Sequence, residues 1–104
     1  MSFTGREDHH VTLAEATAWT ANYRNANPGA VRSHFYGKDA INAILAQSNC
    51  VGIRIYHAIN DRAEKVLVLV GVKADESDMY TGLMAERGLM CPPTCPPSSP
   101  LNEG

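Results

Sequence analysis

Val66-Leu67-Val68-Leu69-Val70-Gly71-Val72 carries no polar side chain at either parity. Successive side chains of a strand point to opposite faces, so a strand built from this run is apolar on both. Such a strand belongs in the middle of a sheet covered on two sides. The stretch before it alternates, with Val51, Ile53, Ile55, His57 and Ile59 on one parity and Gly52, Arg54, Tyr56 and Ala58 on the other. Asn60-Asp61-Arg62-Ala63 between the two reads as a turn. The pair is predicted to form an antiparallel hairpin, 50–59 with 64–73.

Two helices are predicted to cover one face of that hairpin. Thr12 and Glu15 have the spacing of a reciprocal cap, hydroxyl to amide and carboxylate back to amide. Leu13, Ala16, Trp19, Tyr23 and Ala26 follow at helical spacing, and Asn27-Pro28-Gly29 ends the run. The helix is placed at 12–26, with Trp19 and Tyr23 expected in the core. A second helix, 39–47, carries Ala40, Ile41, Ile44 and Leu45. Residues 31–36 alternate and suggest a short edge strand. Met79 to Arg87 suggests a short third helix, although Gly82 weakens it. The fold class expected is α+β, a small antiparallel sheet with helices 12–26 and 39–47.

Five of the six prolines lie between Cys91 and Gly104. The expected division is a single domain over 1–90 and a proline-rich tail, 91–104, with no helix or strand ladder of its own. In a chain of 104 residues the core is modest. Two helices leave one face of the sheet to be covered by the tail or by another subunit. From that imbalance comes the leading expectation, a non-catalytic interaction or structural protein that forms homo-oligomers. Its candidate contacts are Tyr56, Val66, Val68, Val70, Pro92, Pro93, Pro96 and Pro97.

His10-Val11-Thr12-Leu13-Ala14-Glu15-Ala16, Cys50-Val51-Gly52-Ile53-Arg54-Ile55-Tyr56 and Cys91-Pro92-Pro93-Thr94-Cys95-Pro96-Pro97-Ser98-Ser99-Pro100-Leu101-Asn102 resemble stretches of a group of small uncharacterised bacterial proteins. The tail is the most specific of the three. The resemblance implies a complete bacterial domain and implies no activity, cofactor or ligand.

The formal charge of −2 is spread along the chain, with no basic run. That argues against a nucleic-acid partner and against a polybasic membrane anchor. The N-terminus lacks the apolar stretch of a signal peptide, and the longest apolar run is far shorter than a bilayer span. A cytoplasmic location is expected. Three cysteines, an odd number, fit reduced thiols better than a disulfide framework.

Cys91 and Cys95 are the foremost candidates for chemistry. Their spacing falls within that of zinc ligands, and Cys50 and His57 could complete a tetrahedral site. A polyproline path through Pro92 and Pro93 would separate the two Cα atoms by about 12 Å, against less than about 7 Å for a disulfide. The thiols can meet only if the chain turns at Thr94 or holds a cis proline. A thiol-dependent redox or metal-binding protein is therefore the alternative function, with structural or free thiols the favoured reading of the pair.

His57 shares a parity with aliphatic residues and reads as a core or interface histidine. His9 and His10 read as exposed. Arg54 is expected to pair with a cross-strand acid, Glu64 or Asp75. Asp75, Glu76 and Asp78 form an acidic turn, and Tyr80 stands where a calcium loop needs glycine. No nucleophile elbow, phosphate loop or dinucleotide fingerprint is present.

Overall fold

The computed structural model describes residues 2–102. It is a small α+β fold with the element order α1 (Leu13–Ala26), β1 (Ser33–Phe35), α2 (Lys38–Leu45), β2 (Cys50–Ile59), β3 (Lys65–Lys73), β4 (Met84–Ala85) and β5 (Leu89–Cys91). The chain divides into two compact units, Met1–Glu7 with Phe35–Gly88 and Asp8–His34 with Leu89–Gly104. The proline-rich tail is thus part of a unit that also contains α1.

The first unit is built on the expected hairpin. β2 and β3 pair antiparallel, with Ala58 opposite Val66, Tyr56 opposite Val68, Arg54 opposite Val70 and Gly52 opposite Val72. Asn60 organises the connection: its side-chain oxygen accepts from the Arg62 and Glu64 amides, and its amide nitrogen donates to the Glu64 carboxylate. The Ala63 amide donates to the Asn60 carbonyl at 3.0 Å, and Ala63 takes a φ of 62°. A tight turn followed by one left-handed residue is a common way to close a three-residue hairpin loop.

A bulge between Cys50 and Gly52 shifts the register. Cys50 lies opposite Lys73 and Gly52 opposite Val72, so Val51 is the extra residue and Cys50 falls on the face of Ile53 and Gly71. On that face α2 packs. Ile44, 2% exposed, meets Gly71, where an added Cβ would lie 3.3 Å from Ile44 Cγ2 and 3.0 Å from Cys50 Sγ. Glycine at 71 is what allows the helix so close. Tyr36 donates its hydroxyl to the Leu67 carbonyl at 2.8 Å, and its ring lies against Gly88, where a Cβ would come within 2.7 Å of Cζ.

The ribbon with two apolar faces is not left open. Val66, Leu69, Val70, Gly71 and Val72 are buried, with Leu67 and Val68 half-buried. The expected cover for the second face of β3 is the tail or another subunit; Val66 and Val70, offered as contact residues, are already buried within the chain. Along the other edge of β3 lie β4, through Leu69 opposite Ala85 and Val70 opposite Met84, and the single bridge Val72 to Asp78. The third helix expected over 79–87 does not form. Gln47, just after α2, reaches into this segment and accepts the Leu83 amide at 2.9 Å while donating to the Ile44 carbonyl at 2.9 Å. Tertiary hydrogen bonding overrides a weak local helix preference there.

In the second unit α1 starts as the sequence requires. Thr12 Oγ1 accepts the Glu15 amide at 3.1 Å and Glu15 Oε1 accepts the Thr12 amide at 3.1 Å. The apolar stripe, however, is not a core: no residue of α1 is buried, and Trp19 is 58% exposed. Of the described tail residues only Cys91 lies in a strand, as the last residue of β5, which pairs with β1, and residues 92–102 form no helix or strand. Arg24 Nη1 donates to the Leu101 carbonyl at 2.8 Å, and Arg32 Nη1 to the Asn102 carbonyl at 3.3 Å.

Candidate functional site

Two places hold the residues that sequence reasoning singled out, one in each unit. The first is β2. The sheet order β2-β3-β4 puts it at an edge, and among the described residues no strand pairs with its outer side. Ten residues make an edge long enough to template another strand. Gly5, at φ 83°, approaches the start of that edge, where an added Cβ would lie 2.7 Å from the Val51 carbonyl oxygen. Beyond the bulge the side chains are uncovered: Ile55 is 55% and Ile59 71% exposed. His57 is exposed between them, opposite Leu67, so of its two expected places, core or interface, the core is excluded. Tyr56, one of the proposed contact residues, is half-exposed on the opposite face.

Tyr56 also belongs to a polar cluster that the sequence placed only in part. Asp78 accepts the Tyr56 hydroxyl and, at 2.5 Å, Arg54 Nη1. Arg54 donates as well to the Glu76 carbonyl at 3.2 Å, and its guanidinium lies 5.9 Å from the centre of the Phe3 ring. The partner of Arg54 is therefore neither Glu64 nor Asp75. The signal that could have found Asp78 is the register, because the Val72–Asp78 bridge returns this residue beside Arg54. The Tyr56 hydroxyl, and after it Arg54, hold the Asp78 carboxyl below its ordinary range, while Asp78 raises the Tyr56 phenol. Through Asp78 and the Glu76 carbonyl the cluster ties the 74–78 turn to β2. Asp75 caps that turn, accepting the Ser77 amide at 3.0 Å.

The second place is the start of the tail. Cys91 and Cys95 are joined in a disulfide, with their Cα atoms 4.7 Å apart. The favoured reading of free thiols is thereby corrected. The straight polyproline path assumed for it does not exist: the Cys91–Pro92 and Pro92–Pro93 peptide bonds are cis, and the Thr94 amide turns back to the Met90 carbonyl at 2.8 Å. The correction also removes the thiol argument for a reducing compartment. Cys91 is fully buried, whereas Pro92, Pro93, Cys95, Pro96 and Pro97 are exposed.

Cys50 is a free thiol whose sulfur lies 3.2 Å from the Gly52 carbonyl oxygen. Among the described residues no group of three or more His, Cys, Asp or Glu side chains stands ready to hold a metal ion, and the zinc set of Cys50, His57, Cys91 and Cys95 is not assembled. No described helix is long and apolar enough to cross a membrane. No protein-family model, curated protein or solved structure matches the chain.

Proposed function

We propose that the chain is a non-catalytic interaction protein that self-associates by joining the outer edge of β2 to the same edge of a second copy. The observation that carries this reading is the outer side of β2, unpaired among the described residues, with Ile55 and Ile59 exposed beside it. An edge strand offers a row of unpaired amides and carbonyls, and natural proteins blunt such edges with charge, proline or a bulge. Here the bulge blunts only the first residues. Between Ile55 and Ile59 there is no charged side chain and no proline. Two copies related by a two-fold axis would pair antiparallel, each supplying the same patch. The main chain then contributes hydrogen bonds and the aliphatic side chains the apolar contact.

Size-exclusion chromatography with light scattering tests the reading. The native chain is expected to run as a dimer at high micromolar concentration, and Ile59→Lys, which sets a charge on the edge, as a folded monomer with unchanged far-ultraviolet circular dichroism. A native chain that stays monomeric at that concentration overturns the proposal.

A further inference from the structure

The disulfide at the head of the tail is unequal in access. Cys91 is completely buried at the end of β5, and its carbonyl accepts the Arg32 amide at 2.6 Å. Cys91 Sγ lies 3.3 Å from Asn102 Oδ1, and Asn102 is in turn held by Arg32. Cys95 is exposed, at the far end of a loop whose own residues, Pro92 to Thr94, are exposed as well. Among the described residues that loop is closed by the disulfide and by the Thr94 amide bonded to the Met90 carbonyl. Past it, Leu101 and Asn102 are tied down separately by Arg24 and Arg32. The segment from Pro92 to Pro97 is thus held by one covalent bond and one hydrogen bond, and its flanks have further anchors in Arg24 and Arg32.

We propose that the Cys91–Cys95 disulfide is a redox switch that folds or frees the proline segment 92–97 while β5 and residues 101–102 stay in place. The co-reactant is a dithiol reductant. One of its thiolates attacks Cys95 Sγ, the sulfur of the exposed cysteine. The sulfur–sulfur bond breaks, and its electron pair leaves on Cys91 Sγ, which takes up a proton beside Asn102 Oδ1. The second thiolate of the reductant then attacks its own sulfur in the mixed disulfide and expels Cys95 as a thiolate, which is protonated in turn. Two electrons and two protons pass to the chain, and the reductant leaves as a disulfide. Opened, the segment has the composition of a polyproline strap and loses little entropy on docking to a partner groove.

Amide hydrogen exchange on the full chain carrying Cys50→Ser, which removes the free thiol from any exchange, tests this with dithiothreitol as the reductant. As purified without reductant the protein is expected to show no titrating thiol, and two after reduction. On reduction the Thr94 amide is expected to exchange at least about tenfold faster, with the β2–β3 amides and the Arg32 amide unchanged. The double variant Cys91→Ser/Cys95→Ser should show the same pattern without reductant. Two titrating thiols before reduction, a Thr94 amide as protected after reduction as before, or a loss of protection spread over both units would each overturn the proposal. The β2-edge dimer is indifferent to all these outcomes, so the two readings fail separately.

Discussion

Asp78 is the residue at which most of the polar design of the first unit converges. Its carboxylate accepts from Tyr56 and from Arg54, and the carboxyl and the Tyr56 phenol respond to pH in opposite directions. The fold lowers the Asp78 pKa from an ordinary 3.8, the Tyr56 hydroxyl first and Arg54 after it. A lowered carboxylate contributes stability that is complete above its unfolded value and is lost as pH falls through the folded one. The Tyr56 phenol is raised from an ordinary 10.0, chiefly by its bond to Asp78. The neutral phenol is therefore favoured by folding, and that contribution is complete below the unfolded value and lost as pH rises through the folded one. Urea midpoints of the native chain and of Asp78→Asn should differ most between about pH 5 and 9, narrow as pH rises through the Tyr56 value, and converge in acid. A difference that stays constant down to about pH 2 would show that the carboxylate charge is not what holds the turn.

At the scale of elements, those that close with local bonds were legible in the sequence, and those that depend on a distant partner were not. α1 carries its own start signal in Thr12 and Glu15, and the structure begins it there. The hairpin carries alternation, a turn and a two-sided apolar strand, and β2 and β3 fall within a residue of their expected bounds. The Cys50–Gly52 bulge left no mark in the alternation, because Val51 and Cys50 are both acceptable on either face. Periodicity also placed an apolar stripe on α1 without being able to say that nothing buries it. The failed third helix is the clearest case. Met79 to Arg87 has helical composition, yet Gln47 holds the Leu83 amide from outside, and a Cβ at Gly82 would run into the Gln47 side-chain oxygen. Gln47→Ala and Gly82→Ala should each cost about 1 kcal/mol, since each removes the same hydrogen bonds. They should not add: in the Gln47→Ala background the side chain that Gly82 accommodates is gone, and Gly82→Ala becomes nearly neutral. Urea unfolding of the two single variants and the double variant measures the coupling. Simple additivity would remove Gln47 as the cause of the open turn.

For the whole molecule, what matters is how far the chain shelters itself. β3 is enclosed without a second copy, with Val70 only 2% exposed, so in the proposed assembly the dimer would add stability to a monomer whose core is already covered. The net charge of −2 opposes the approach of two copies only weakly. One strand edge with a few aliphatic side chains would bury less than the roughly 1,200–2,000 Å² of a standard interface, which would place the proposed dimer among weaker assemblies. Mass action then makes thermal stability depend on concentration. Above the dissociation constant, a hundredfold rise in concentration contributes about 1.4 kcal/mol per protomer, half of two tenfold steps. In a chain of this size that moves the unfolding midpoint by on the order of 5 °C. Scanning calorimetry should show this rise for the native chain, none for Ile55→Lys, and convergence of the two at the lowest concentrations. Convergence matters because it separates a lost interface from a damaged fold: a variant that melts lower even when dilute has lost something inside the monomer. A midpoint of the native chain that does not move with concentration would mean that the exposed edge of β2 meets no second copy.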